Sequence, residues 1–259
     1  MLADQIRMHE SFGSTHLEEN RSVLVYVPPG YAADAERRYP VLYMNDGQNL
    51  VNPEDAFGGV AWAVDETAQA LILAGEIEPL IIVGIYNTPR RVDEYTHVKA
   101  ERGRMRGHGG KADQYGRMII EELKPFIDKE YRTKPEREFT GLGGSSLGGL
   151  VSLYLGLKRP DVFSRLAVIS PAVWWANNQI IRDAARIGER LPLRIWLDIG
   201  KKEGSRIKHQ VRALKEILLA DGWQIGADLA YYEIPDARHD ESAWAARFGE
   251  VLKFLYPVI

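Results

Sequence analysis

There is no cysteine in this chain of 259 residues. That excludes disulfides, thiolate metal sites and a cysteine nucleophile together. Charge of one sign is not in excess: 33 Lys and Arg stand against 36 Asp and Glu, a net charge of −3. Nothing in that balance draws the chain toward nucleic acid or an anionic membrane surface, so neither is expected as a partner. No apolar run approaches the length that spans a bilayer, and "MLADQIRMHE" lacks the basic start and apolar stretch of a secretory signal. A cytoplasmic location is the expectation. No repeat, low-complexity tract or Pro/Ser-rich linker divides the chain, which reads as one domain over 1–259. A metal-ligand constellation, a phosphate loop and a dinucleotide fingerprint are also missing, so neither metal nor cofactor is expected.

What is present is an alternation of two periods. "SVLVYVPPGY" is a strand stopped by Pro28, Pro29 and Gly30, and "YPVLYMND" (39–46) a second one. Over 60–74 the period becomes helical, with Trp62, Ala68, Leu71 and Ile72 on one face. "EPLIIVGIY" (78–86) is a buried-strand run, followed by a long polar loop and a helix over about 112–130. Strands at 137–144, 165–171, 193–200 and 227–235 then alternate with helices after 146, after 204 and at the C-terminal end. Unbroken apolar strands separated by amphipathic helices predict an α/β fold. The sheet is mostly parallel, of about eight strands, with helices on both faces, and the two leading strands suggest an antiparallel start. Ligands of such sheets sit at the carboxyl ends of the strands.

At one of those ends stands "TGLGGSSLGG" (140–149), with five glycines and two adjacent serines. Gly-x-Ser-x-Gly fits in one register only: Gly144, Ser146, Gly148. A serine on a sharp strand-to-helix turn has its hydroxyl lifted above the sheet edge, and side chains two before and two after would collide. Ser146 is the candidate nucleophile. The helix that starts there aims free N–H groups at a developing oxyanion.

A serine hydroxyl needs a general base. Of the six histidines, His239 in "IPDARHDESAW" follows the last predicted strand at the functional edge. The order serine, acid, histidine is that of α/β-hydrolases. The acid belongs in "LDIGKKEG" (197–204), a strand running into a loop, where Glu203 in the loop is favoured over Asp198 in the strand, with Asp236 and Asp240 as outside candidates. One oxyanion N–H is expected from Leu147 and the other from Gly47 or Gln48 in "NDGQNL" (45–50). Since only neutral imidazole acts as a base, activity should fall at acid pH.

Together with "VLYMNDGQNL", "GIYNTPRRVDEYT", "ELKPFIDKEYRT" and "LDIGKKEG", these blocks resemble the esterase family of α/β-hydrolases, from about residue 20 to the end of the chain. That family includes feruloyl and acetyl-xylan esterases, siderophore trilactone esterases, esterase D and mycolyl transferases. The resemblance implies a serine carboxylic-ester hydrolase of small-molecule esters that forms an acyl-enzyme, with Ser146, His239 and Glu203 in the matching positions. His97 departs from the pattern, since many relatives have proline after "EYT".

Substrate is less constrained. Only about twenty residues separate the 165–171 and 193–200 strands, so the cap is minimal and the cleft open. In the loop over 90–117, Arg90, Arg91, Lys99, Arg102, Arg104, Arg106, Lys111 and Arg117 face Asp93, Glu94, Glu101 and Asp113. That excess, led by Arg90 and Arg91, suits an anionic acyl group or a catecholate siderophore. Trp174 and Trp175 are candidate walls of an aromatic pocket. Aromatic, sugar-linked and anionic acyl esters all fit. An acyltransferase or a siderophore trilactone hydrolase would use the same acyl-enzyme, and a binding protein that keeps the fold is the rival from another class.

Overall fold

In the computed structural model, which describes residues 2–258, one sheet of eight strands runs through the molecule. The strands are β1 (Ile6–Phe12), β2 (Arg21–Tyr26), β3 (Val41–Asn45), β4 (Ile81–Ile85), β5 (Thr140–Ser145), β6 (Arg165–Ile169), β7 (Arg194–Gly200) and β8 (Leu229–Ile234). Their spatial order is β1-β2-β4-β3-β5-β6-β7-β8. β1 pairs β2, and β2 pairs β4, antiparallel; every other pairing is parallel. The helices are α1 (Val64–Leu73), α2 (Arg91–Glu94), α3 (Ala112–Arg117), α4 (Lys124–Glu130), α5 (Leu147–Lys158), α6 (Trp175–Ala185), α7 (Ser205–Ala220) and α8 (Glu241–Leu255). Among the described residues no helix is long and apolar enough to cross a membrane.

The central strands are largely apolar and buried because both faces are covered. Alternate residues divide between two cores. Val41, Tyr43, Ile195 and Leu197 point into one, with α5 and α7; Leu42, Met44 and Trp196 point into the other, with α1 and α8. Burying each such side chain contributes roughly 1.5–3 kcal/mol, so the period of two locks the register of the central strands. That register matters for chemistry. All six parallel-paired strands end on one edge, and the segments after β3, β5, β7 and β8 meet there.

Three expectations are corrected. The antiparallel start consists of β1 and β2, whereas 41–45 lies parallel at the sheet centre; β1, which carries His9, escaped the sequence reading. Trp62 precedes its helix, because Ala63 takes a left-handed conformation (φ 51°) and α1 starts at Val64. The helix over 112–130 is continuous but widens to π geometry over Met118–Leu123. Pro125 follows that stretch; with no N–H to donate and a ring that crowds the preceding turn, it accounts for the widening.

Candidate active site

Ser146 sits between β5 and α5 with φ 56° and ψ −119°. No non-glycine residue adopts that conformation freely, and it costs on the order of 1–3 kcal/mol. Three backbone bonds hold it: Ser146 N–H donates to the Ile169 carbonyl at 3.1 Å, and the N–H groups of Ala172 (2.9 Å) and Leu150 (3.0 Å) donate to the Ser146 carbonyl. The flanking glycines are steric necessities. A Cβ on Gly144 would lie 3.0 Å from the Asn45 Cβ and 3.1 Å from Gly148 backbone, and one on Gly148 would lie 3.1 Å from the same Cβ. Asn45 itself is a clamp. Its amide donates to the carbonyls of Gly143 (2.9 Å) and Gly148 (3.1 Å), while Tyr115 Oη donates to its Oδ1 (2.6 Å).

The Ser146 hydroxyl lies 2.9 Å from His239 Nε2, and His239 Nδ1 lies 2.6 Å from Glu203 Oε2. An ionised carboxylate can only accept, so Nδ1 carries the proton and Nε2 is left to accept from the hydroxyl. The edge of the Trp244 indole meets the imidazole at 4.9 Å and 86°, which fixes the ring plane. Glu203 is fully enclosed. Its Oε1 accepts from Gly200 N–H (2.7 Å) and Ser170 Oγ (2.6 Å). Burial alone would raise its pKa, but the hydrogen bonds from His239, Ser170 and Gly200 outweigh burial and hold it below its ordinary value.

The other acids are engaged elsewhere. Asp198 is buried in β7 and accepts from Arg247 Nε (2.9 Å) and Nη2 (3.0 Å), Trp196 Nε1 (2.6 Å) and Ser170 N–H (3.0 Å). It does not touch His239. Asp236 pairs with Lys202 at 2.7 Å, and Asp240 caps α8 by accepting from Ala243 N–H at 2.9 Å. Glu203 is not the cap of α7, a position that falls to Gly204.

The strand β3 runs into a turn over Gly47–Asn49. A Cβ on Gly47 would stand 2.5 Å from the Gly84 carbonyl carbon, so only glycine lets the turn lie on β4. Among the described residues, the N–H groups of Gln48 and Leu147 have no acceptor, and Gln48 lines the cavity that holds Ser146. Asp46 anchors the turn, accepting from Arg91 Nε (2.7 Å) and Nη2 (2.8 Å) and from Asn87 Nδ2 (2.6 Å). Arg91 therefore supports the turn and borders the cavity, whereas Arg90 faces Glu18 and Glu19 at the surface.

That cavity is open and about 1020 Å³, bordered also by Phe57, Val60, Arg238 and Trp244. Trp174 and Trp175 do not line it. They line a second cavity with the loop after Val98. His97 stacks on Tyr154 (4.7 Å) and bonds Asp183 (3.1 Å), tying that loop to α5 and α6. Phe57, Val60, Asn87 and Arg238 of the first cavity escaped the sequence reading, and so did Glu241. Glu241 accepts from Asn49 Nδ2 (3.0 Å) and Trp62 Nε1 (2.5 Å), joining the Gly47–Asn49 turn to the helix behind His239. Burial pushes its carboxyl above the ordinary range, against the Trp62 hydrogen bond. Its partners are some 180 residues away in sequence, and only its position two after His239 hinted at a role.

Comparison with known proteins fits this geometry. The family described as "Putative esterase" matches residues 14–255. The chain belongs to that family. This esterase is 28% identical to the ferri-bacillibactin esterase BesA of Bacillus subtilis, over 77% of the chain and 73% of that protein. It is 27% identical to an endo-1,4-beta-xylanase/feruloyl esterase of Xylanibacter ruminicola, over 79% of the chain but only 26% of that larger protein. In fold it is similar to the BES protein of Bacillus cereus, with a TM-score of 0.79 and 21% identity, covering 100% of the esterase and 97% of that chain. The esterase is thus an ester hydrolase on an α/β fold.

Proposed function

We propose that this esterase cleaves carboxylic esters through an acyl-enzyme on Ser146. His239 Nε2 takes the hydroxyl proton as Oγ attacks the ester carbonyl. The oxyanion is held by the free N–H groups of Gln48 and Leu147, with Gly47 keeping the turn against β4. The tetrahedral intermediate collapses, and the alcohol leaves with the proton from His239. Water then gives its proton to His239 and attacks the acyl carbonyl; the acid leaves and Ser146 recovers its proton. Glu203 keeps Nδ1–H fixed and stabilises the imidazolium formed at each attack.

The observation that carries this reading is the unbroken chain from Ser146 Oγ to His239 (2.9 Å) to Glu203 (2.6 Å) beneath a strained elbow. A binding protein has no use for such strain. As to substrate, Phe57 is 80% exposed and Val60 41%, both on the cavity rim. Exposed apolar groups beside a nucleophile favour a bulky or aromatic ester over acetyl groups alone. The names of the relatives, a feruloyl esterase and a siderophore esterase, point the same way.

The test is turnover of p-nitrophenyl acetate and an aryl-acyl ester by wild type and Ser146→Ala, with folding checked by circular dichroism. Wild type should prefer the aryl-acyl ester, and the folded variant should be inactive on both. A folded, active Ser146→Ala would remove this serine from the mechanism.

A further inference from the structure

The cavity that shares no lining residue with the Ser146 site has its own chemistry. It is about 740 Å³, and Lys99, Arg102, Arg104, Arg182 and Arg206 border it against one acid, Glu101. In a chain of net charge −3, that is a local concentration of positive charge. Other surface arginines sit against carboxylates: Arg117 on Glu121, Arg159 on Asp161, Arg212 on Glu233. Among the described residues these five cations form no ion pair. Arg182 turns instead to the carbonyls of Ala176 and Asn177.

Trp174 lines the same cavity, 43% exposed and tilted 53° against Trp175 at 6.0 Å. Its exposed indole face, set in a cavity wall beside cations, gives an aromatic ring a surface to stack on. The scaffold behind it is rigid. Trp175 is buried, and its indole N–H donates to the Val98 carbonyl at 2.8 Å, tying the cation-bearing loop to the wall. The next three residues, Ala176, Asn177 and Asn178, are all left-handed, at φ 44°, 57° and 63°. Three such non-glycine residues in a row cost roughly 1–2 kcal/mol each. Gln210 stabilises the turn by donating to Asn178 Oδ1 at 2.7 Å. Strain of this kind persists where surroundings enforce it, and it gathers at ligand sites.

We propose that this cavity binds an anionic aromatic group, its ring on Trp174 and its carboxylate or phosphate among Arg102, Arg104 and their neighbours. Ring stacking and cation–anion contact are both satisfied by one aryl acid, and guanidinium groups suit oxyanions by geometry as well as charge. No nucleophile lines the cavity beside a base, so the site binds and does not hydrolyse. The proposal does not depend on the role of Ser146.

The test uses the full chain and three probes with one ring: 1-naphthol, 1-naphthoate and 1-naphthyl phosphate, titrated by calorimetry and by tryptophan fluorescence. Affinity should rise with charge, at least about tenfold from naphthol to the phosphate, and fall as salt is raised. Arg102→Glu with Arg104→Glu, both exposed positions, should erase the charge ranking. Trp174→Ala should weaken all three probes and keep the ranking. Inhibition of p-nitrophenyl acetate turnover by naphthyl phosphate then separates two sources of the ligand. Competition makes the site the anchor of an acidic ester substrate; binding without competition makes it the seat of a separate anionic ligand. Equal affinity for naphthol and the phosphate, no binding, or an unchanged ranking in the double arginine variant would each overturn the proposal.

Discussion

Strand β7 delivers two carboxylates to the same edge, and they do different work. Asp198 ends in the sheet, buried and surrounded by Arg247, Trp196 and the Ser170 N–H. Glu203 lies past the strand end, as deeply enclosed, but one oxygen faces His239. The two are linked: Arg247 Nη2 donates to Ser170 Oγ (2.7 Å), and Ser170 Oγ donates to Glu203 (2.6 Å). The first carboxylate thus holds the platform on which the second orients the histidine. Proximity in sequence and burial do not tell them apart. The partners delivered by α8 and by the loop after β8 do.

The largest effect expected from this contrast is on catalysis. Glu203→Gln keeps the shape but cannot accept from Nδ1–H on the amide side, so the wrong tautomer is favoured. We predict that kcat/KM falls about 1,000- to 10,000-fold with the melting temperature changed little. A loss under tenfold would assign the orienting role elsewhere. Asp198→Asn should reverse the pattern. It leaves the Arg247 guanidinium buried without its counter-charge, for a stability loss of about 3–5 kcal/mol by denaturant titration. Folded Asp198→Asn should retain far more activity than Glu203→Gln; equal catalytic losses would erase the distinction drawn between the two acids.

A smaller effect is pH-dependent. The folded-state pKa of Glu203 lies below its ordinary 4.5, so its contribution to stability is present above that value and is lost as pH falls through the depressed folded value. The stability gap between wild type and Glu203→Gln should therefore shrink below pH 4.5 and be constant above it. A gap that widens with acidity would mean the wrong sign for the shift. The smallest effect belongs to Asp240, whose side chain caps α8. Asp240→Ala should cost about 1 kcal/mol in stability with little change in turnover. A loss of activity comparable to that of Glu203→Gln would return Asp240 to the list of acids.

These contrasts also mark how far the sequence could be read. The central strands are legible because burial on both faces leaves unbroken apolar runs, and the elbow is legible because Gly144 and Gly148 have no alternative. The nearness of His239 to Ser146 is legible from its place after the last strand and from the order serine, acid, histidine. β1 was hidden because it is an edge strand with exposed Arg7, Met8, Glu10 and Ser11, and a register shift between His9 and Phe12 breaks its alternation. The bond from Glu241 to Trp62 and Asn49 is tertiary, and no local period announces it. The two tryptophans after β6 are visible as a pair, but which cavity they line depends on the left-handed turn at Ala176–Asn178, which no residue there demands.

The most direct measurement is covalent labelling with an aryl fluorophosphonate, read by peptide mass spectrometry. The account predicts one adduct per chain, on Ser146, forming far more slowly in His239→Ala and Glu203→Gln than in Asp240→Ala. An adduct on Ser145, or an active enzyme that takes no label, would contradict it.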